Sequence, residues 1–550
     1  GTSFHHRDEL DAVQRNLREQ TGTTVLIYDQ TCAAEKRRRR KRNLFPDPPK
    51  RIFINEEVCE GCGDCSVKSN CLSVVPVDTE YGRKRAIDQS SCNKDYSCVN
   101  GFCPSFVTVH GGQLKKPKLL ETKEPIQNDG PVNLPDPVIP STENPYSIIV
   151  TGIGGTGVVT IGALLGTAAH IEGKGTSVLD MAGLAQKGGA VVSHIRIGNA
   201  PEDLHAVRIA AGAANAVIGC DLMVSASPEV LSKMEPGITQ VVINSHETIT
   251  GDFTRNPDMD LMGAEMVKII DVAVGDKGSN YYEASRLATA LLGDSIATNL
   301  FMLGIAYQKG LIPISANALE EAIELNAVSV ELNKNAFFWG RKMVIDPDLV
   351  LRAAEPSTPL RLKRPDVSEN IEEIISRRIK FLTAYQSEDY AEQYVELVRK
   401  VQNTEEQKTK GRDDLTKAVA KYFYKLLAYK DEYEVARLFT SGNFKRNLND
   451  QFEGNYKLQF HLAPPLISER DPNTGHQIKK EFGSGTLFLF HILSRLKFLR
   501  GTKFDPFGYS AERKLERKLV KKYESNINEI LGHLTHENYE LAVAIAKIPE

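Results

Sequence analysis

The chain has 550 residues, 41% of them hydrophobic and 25% charged, with a formal net charge of -3. These values fit an ordinary soluble globular protein of roughly three or four domains, and the charge balance excludes bulk attraction to nucleic acid or to an anionic membrane. No apolar run approaches the roughly 18–20 residues of a membrane helix; the longest, VVTIGALLGTAA from Val158, is too short and holds two glycines.

Taken in chain order, GTSFHHRDEL lacks an initiating methionine and a signal-like apolar core, which reads as a fragment or cleaved product. Leu10, Val13 and Leu17 recur at helical spacing, Gly22 breaks that helix, and TTVLIYD (Thr23 to Asp29) reads as a buried strand. Seven consecutive basic residues, Lys36 to Arg42, read as a solvated or phosphate-facing helix end, with a nucleic-acid or localisation patch as the alternative. Cys32, standing alone, reads as a buried thiol.

Seven of the nine cysteines then fall between Cys59 and Cys103. Cys59, Cys62 and Cys65 keep the x2, x2 rhythm with which three thiolates cap an iron–sulfur cube. In two-cluster ferredoxins the fourth ligand comes from a distant Cys-Pro, and Cys103-Pro104 occupies that place. Cluster one is therefore assigned Cys59, Cys62, Cys65 and Cys103. Cluster two is assigned Cys71, Cys92 and Cys98. Asp95 stands in the middle position of that second rhythm, either an oxygen ligand to a fourth iron or a bystander to a three-iron cluster. Cys71 follows Cys65 by five residues rather than three, with no proline after it. Structural zinc also uses CxxC pairs, but a third cysteine at that spacing and a distal Cys-Pro are surplus to it; a disulfide knot would need an oxidising compartment.

The stretch from Glu121 to Pro145, rich in Pro, Asn, Asp and Thr, reads as a linker. Beyond it Ser147 to Val150 form an expected strand, followed by Gly152, Gly154 and Gly157 in GxGxxG order and a helix. Such a turn brings backbone N–H groups and a helix N-terminus toward a phosphate, or serves only to pack strand on helix. Asp180, ending the next strand GTSVLD, stands roughly where a dinucleotide-binding domain puts its ribose acid. The glycine-lined loop with Gly183, Gln186, Lys187, Gly188 and Gly189 is not part of a standard dinucleotide domain. AVIGCDLMVSAS and TQVVINS read as further strands of a mainly parallel sheet. Ser315 is an expected cap for ANALEEAIEL, with Leu319, Ala322 and Ile323 on one face. His194 and Cys220 read as core residues. A proline-bearing linker is expected at 346–365, and after it a mostly helical region with Leu415, Val419, Tyr422 and Leu426 on one stripe.

Together, VLIYDQTCAAEKRRRRKR, the cysteine block with Asp95, GIGGTGVVTIGALLG, LAQKGGAVVSHIRIG and AYKDEYEVARL resemble the fused, single-chain indolepyruvate ferredoxin oxidoreductases, a subgroup of the 2-oxoacid:ferredoxin oxidoreductases. The resemblance implies a multidomain α/β plus α chain: 1–45 the tail of a thiamine-diphosphate-binding domain, 46–125 a ferredoxin-like iron–sulfur domain, 126–144 a linker, 145–345 an α/β gamma-type catalytic domain, 346–365 a linker, and 366–550 a helical C-terminal domain. It implies oxidation of a 2-oxo acid with coenzyme A to an acyl-CoA and carbon dioxide, thiamine diphosphate and Mg2+ supplying the carbanion chemistry and 4Fe–4S clusters, the second either 3Fe–4S or Asp-ligated, delivering electrons to ferredoxin. The glycine–aspartate–glycine motif for the diphosphate is missing, so this reads as the C-terminal part of a longer enzyme. Gly152, Gly154, Gly157, Gln186 and Lys187 are expected to face the cofactor or acyl-acceptor side. A cytoplasmic homodimer is expected, with no nucleic-acid or membrane partner. The competing readings are an iron–sulfur electron-transfer module serving a separate catalytic subunit, an NAD-linked reductase, and a structural zinc protein.

Overall fold

The computed structural model describes residues 2–115, 134–183, 189–247, 249, 251–256, 258–275, 277–354, 368, 370–464, 468–470 and 477–549. They form two units, Gly1–Pro48 with Cys92–Asp95, and Pro49–Ser91 with Tyr96–Glu550.

In the first unit the expected helix is present at Leu10–Glu19, but none of its residues is buried. The strand expected at 23–29 is not formed, and Val25 and Ile27 stay 75% and 85% exposed. A strand needs a neighbour for its backbone N–H and C=O groups, and this unit contains no strand among its described residues. For the same lack of a core Cys32, expected buried, is exposed at the start of the helix Ala33–Lys41. That helix carries most of the basic run. Its Arg40 is used internally, donating to the carbonyls of Pro46 at 3.0 Å and Asn93 at 2.7 Å.

The second unit begins with β1 (Lys50–Ile54), the hairpin β2 (Val74–Thr79) and β3 (Gly82–Ile87), β4 (Phe106–His110) and the short β5 (Gln113–Leu114). β1 and β4 pair antiparallel. The central domain follows with β6 (Tyr146–Ile153), β7 (Gly175–Ala182), β8 (Ala190–Gly198), β9 (Ala216–Gly219), β10 (Gln240–Asn244) and β11 (Ser279–Tyr282), in the order β11-β10-β9-β6-β8-β7. The pairs from β6 through β11 are parallel, whereas β8 runs antiparallel to both β6 and β7. Successive residues of β6 serve two cores, Ile148 and Val150 on one face and Ile149 on the other. Hence the run is apolar without alternation, as a sheet covered on both faces requires. Ser315 caps the helix Ala316–Asn326 as expected, accepting from Ala318 N, and Leu319, Ala322 and Ile323 are buried.

Described residues within both expected linkers belong to the central domain. Leu134 is buried, and Arg341 donates to its carbonyl at 3.2 Å and to Asp136 Oδ1 at 3.0 Å, tying 134–136 to the central domain. Residues Pro347–Ala354 form a helix whose Val350 and Ala354 are buried in the central core. Proline is tolerated there because the first helical position needs no N–H partner.

The C-terminal region has two parts. Helices Ile371–Tyr385, Glu388–Lys408, Asp414–Leu427, Ala511–His533 and Tyr539–Ala546 surround one core containing Leu382, Tyr394, Phe423, Ile527 and Tyr539. The buried stripe of Asp414–Leu427 is rotated from the expected one: Leu415, Val419, Phe423 and Leu427 are buried, while Tyr422 and Leu426 flank them. The other part holds helices Glu432–Thr440, Gly442–Gln451 and Thr486–Arg495 with β12 (Phe452–Glu453), β13 (Lys457–Leu462) and β14 (Lys480–Phe482). β13 pairs with β4 and β12 with β5, so one sheet runs β1-β4-β13-β14. The expected division between a ferredoxin-like domain at 46–125 and a separate helical domain at 366–550 is therefore not a division of the fold. Phe106, Val107 and Val109 of β4 are fully buried. A strand this apolar needs both its edge and its faces covered, and the cover comes from the far end of the chain.

Candidate functional site

Cys59 follows β1 through a turn built by Asn55, whose carbonyl accepts from Val58 N and Cys59 N and whose amide reaches Leu438 O at 3.2 Å. The chain then passes Gly61 and Gly63, both left-handed at φ +74° and +76°, before Cys65 enters the helix Asp64–Ser69. Glycine adopts that conformation without the penalty a Cβ brings, which lets the loop fold back on itself. Cys98 lies in the single turn Ser97–Asn100, and Gly101 packs where a Cβ would come 2.9 Å from Cys65 Cα. Cys103 follows at once, its Sγ 3.0 Å from Ser105 Oγ. Cys59, Cys65 and Cys103 are buried and Cys62 is exposed.

These four sulfurs share one neighbourhood. Burial, and then the proximity of Cys103, Cys59 and Cys62, pushes the Cys65 thiol up to about 12. Burial and Cys103 push Cys59 up to about 11, against the Gly61 N–H at 3.3 Å and nearby Lys84. Burial also raises Cys62. Burial thus favours the thiol form of Cys59, Cys62 and Cys65, and a metal that binds them must release protons. Among the described residues no three His, Cys, Asp or Glu side chains converge closely enough to hold a single metal ion. The donor chemistry fits an iron–sulfur cluster, whose several irons spread their ligands more widely: four thiols, a backbone N–H aimed at a sulfur, and a glycine cradle against Cys65.

Positive charge surrounds this set. Lys84 is 6% exposed, and burial lowers it to about 8. Lys430 Nζ pairs with Glu60 at 2.7 Å and reaches Cys59 O at 3.4 Å. Lys479 Nζ donates to Val99 O at 3.1 Å and lies 4.8 Å from the Phe106 ring centre. Burial lowers Lys479, while Cys103, Cys65, Asp64 and Cys98 act to raise it. Sequence reasoning missed both C-terminal lysines. They stand among many surface-type lysines, with no spacing that marks them.

Of the second expected set, Cys71 is half-buried with Ser73 N 3.4 Å from its Sγ, and Cys98 lies as described above. Cys92 and Asp95 belong to the first unit, where Lys94 N donates to Cys92 Sγ at 3.4 Å and Asp95 Oδ1 pairs with Arg7 at 3.1 Å.

In the central domain the turn after β6 has Gly155 and Gly157 at φ +85° and +102°. A Cβ on Gly152 would lie 2.6 Å from Val158 Cγ2, so this glycine is needed for strand–helix packing. Gly154 N donates to Gly189 O at 2.7 Å, and Gly183 N to Ala190 O at 3.0 Å, which ties both ends of the 183–189 loop beside the turn. Gln186, Lys187 and Gly188 lie outside the described residues. Asn299 Nδ2 holds Thr156 O at 3.1 Å, and Ser295, just before, is 3.1 Å from Ser90 of the cysteine segment. The dinucleotide placement of Asp180 is not met. β8 intervenes between β6 and β7, and Asp180 Oδ1 accepts from Ser193 Oγ at 2.5 Å. A dinucleotide fold puts its first two strands side by side. His194 and Cys220 are buried as expected, and burial pushes Cys220 up to about 12.

Residues 147–343 match the model of the family described as pyruvate ferredoxin/flavodoxin oxidoreductase, and 371–550 that of a family of unknown function (DUF6537). The chain is 27% identical over 208 residues to indolepyruvate oxidoreductase subunit IorB of Archaeoglobus fulgidus, covering 36% of this chain and 95% of the relative. The subunit of that name from Thermococcus kodakarensis is 27% identical over 203 residues, with coverage of 36% and 95%. Among solved structures, the gamma subunit of a keto/oxoacid ferredoxin oxidoreductase from Geobacter sulfurreducens aligns at 21% identity and TM-score 0.26, covering 36% of this chain and 98% of that one. The 2-oxoglutarate:ferredoxin oxidoreductase of Magnetococcus marinus aligns at 15% identity and TM-score 0.27, covering 44% and 46%.

Residues 147–343 are thus similar to the pyruvate ferredoxin/flavodoxin oxidoreductase family. Over about a third of its length the chain is similar to indolepyruvate oxidoreductase subunit IorB. Among the described residues no helix is long and apolar enough to cross a membrane.

Proposed function

We propose that this chain carries the IorB-like and electron-transfer parts of a thiamine-diphosphate-dependent oxidoreductase acting on indolepyruvate or a related aryl 2-oxo acid. In the overall reaction the 2-oxo acid anion and coenzyme A give acyl-CoA, carbon dioxide, one proton and two electrons. The electrons leave one at a time through the clusters to ferredoxin. The observation that carries the reading is the gathering of Cys59, Cys62, Cys65 and Cys103 on a segment that also packs, through Ser90 and Ser295, next to the helix that holds the glycine turn.

In this reading cluster one is a 4Fe–4S cluster held by those four thiolates. Cys71, Cys92 and Cys98 belong to a second cluster on the strength of their spacing, with Asp95 as its variable position. Gly152, Gly154 and Gly157, with Gln186 and Lys187, face the cofactor or acyl-acceptor side. The chain contains no glycine–aspartate–glycine diphosphate motif; its own residues do not fit thiamine diphosphate and Mg2+, and the carbanion chemistry belongs to another domain or subunit. The assembly is a homodimer of such units.

The test is an anaerobic count of iron and acid-labile sulfide with an electron paramagnetic resonance spectrum. Iron and sulfide in cluster proportion are expected. A colourless protein holding zinc would overturn the electron-transfer role. For the substrate, turnover of indolepyruvate by the complete enzyme with coenzyme A and a viologen acceptor should fall on Lys187→Ala.

A further inference from the structure

We propose that the C-terminal region of 371–550 is part of the cluster-holding machinery, and that it places Lys479 and Lys430 beside the cysteines so that their charge raises the reduction potential of cluster one. The inference rests on the cluster reading above and assigns a role to a domain whose family has none.

Three observations converge. First, β13 and β14 complete the sheet that β1 and β4 begin, so the strands that flank Cys59 and Cys103 share one sheet with the C-terminal region. Second, the turn that launches Cys59 is held from the C-terminal side: Asn55 donates to Leu438 O, and Glu57 accepts from Ser441 Oγ at 2.9 Å and Asn443 Nδ2 at 2.8 Å. Third, two ammonium groups from this region reach the cysteine loops at separate points. Lys479 reaches over Phe106 to Val99, the residue after Cys98, while Lys430 reaches the carbonyl of Cys59 itself. Lys430 is partly neutralised by Glu60. Lys479 is sheltered against an aromatic ring, and Asp64 acts on it together with the cysteines.

The sign follows from charge. Reducing a cluster adds one negative charge, and a nearby cation stabilises that state more than the oxidised one, the more so where water is excluded. The lysines thus make cluster one easier to reduce. Lys479 should act more strongly than Lys430, whose charge Glu60 offsets. Neither residue is a catalytic group; each acts through the cluster.

The test uses the full chain, prepared anaerobically with iron and sulfide, and reads the midpoint potential by a redox titration followed by electron paramagnetic resonance. A wild-type chain that holds no iron would overturn the cluster reading itself. With iron held, Lys479→Met should shift the potential to more negative values, while Lys479→Arg should leave it near wild type at equal iron and sulfide content. Lys430→Met should shift it in the same direction by less, and serves as the measurement should Lys479→Met lose its cluster. Potentials in the methionine variants equal to wild type, with iron retained, would overturn this inference and leave the cluster reading standing.

Discussion

Phe460 of β13 stands opposite Val107 of β4, and both side chains are fully buried. Phe460 also meets Phe439 and Phe490 edge-to-face, at 5.2 and 5.5 Å between ring centres. One aromatic residue therefore joins the cysteine segment to two C-terminal helices. Phe460→Ala should cost about 3–5 kcal/mol, the usual range for emptying such a site. The loss should appear in the cluster absorbance and the helical circular dichroism at the same denaturant concentration. A cluster signal that survives after the C-terminal helices have melted would separate the two regions.

His461, beside it, makes this junction sensitive to pH. Its Nε2 lies 2.7 Å from Thr108 Oγ1 across the β4–β13 pair. Burial, and then Lys479, lowers the imidazole from 6.5 to about 4. The folded protein thus keeps it neutral while the unfolded chain takes up a proton below 6.5. Stability is complete above that value and falls as pH drops from 6.5 toward 4, by about 1 kcal/mol at one unit below the unfolded value. His461→Gln should flatten the dependence of the guanidinium midpoint between pH 7.5 and 5.5. An equal fall in both proteins would mean that His461 is already protonated in the fold.

That Cys59, Cys62, Cys65 and Cys103 lie together was legible because their spacing is a local pattern. The same holds for β6, its glycine turn and the Ser315 cap. The partner of β4 was not legible: Lys457–Leu462 alternates polar and apolar residues as a strand does, but nothing local says which strand it joins, and its register against His110 and Val109 is fixed by contacts made across most of the chain. Thr23–Asp29 shows the opposite error, since its apolar run has β propensity but no neighbour in its unit to pair with. Pro347 misled in a third way, because proline at a helix start looks the same in sequence as proline in a linker.

Gly152 tests the packing role of the glycine turn. An added methyl would meet Val158 Cγ2 at 2.6 Å and Cys220 Cβ at 3.2 Å, both on well-packed elements. Gly152→Ala should cost about 1–3 kcal/mol, as overpacking does. Adding Val158→Ala should recover part of the loss even though Val158→Ala alone destabilises, since Val158 is buried. The four thermal unfolding curves form a double-mutant cycle. Strict additivity would place the conflict elsewhere than between these two residues.

The strongest test of the cysteine cradle lies in two glycines. At Gly101 a Cβ would sit 2.9 to 3.0 Å from Cys65 Cα, Cβ and N. Backbone is among these neighbours, so a rotamer change alone cannot relieve the clash, and Cys65 must move relative to Cys103. At Gly61 the backbone is left-handed at φ +74° and a Cβ would fall 2.1 Å from Arg83 O. Yielding there displaces β3, which carries Lys84 next to Cys59. The left-handed geometry adds roughly 1–2 kcal/mol for a non-glycine residue, but displacement of the sulfurs is the larger effect for a ligand set that must meet its irons together. Both Gly101→Ala and Gly61→Ala should therefore lower the iron bound per chain. Gly483→Ala, with nothing within 4 Å of the new methyl, should not. The central sheet contains neither site, so Trp339 fluorescence should report an intact core in all three variants. Full iron content in Gly101→Ala would show that cluster one does not depend on the close approach of Gly101 to Cys65.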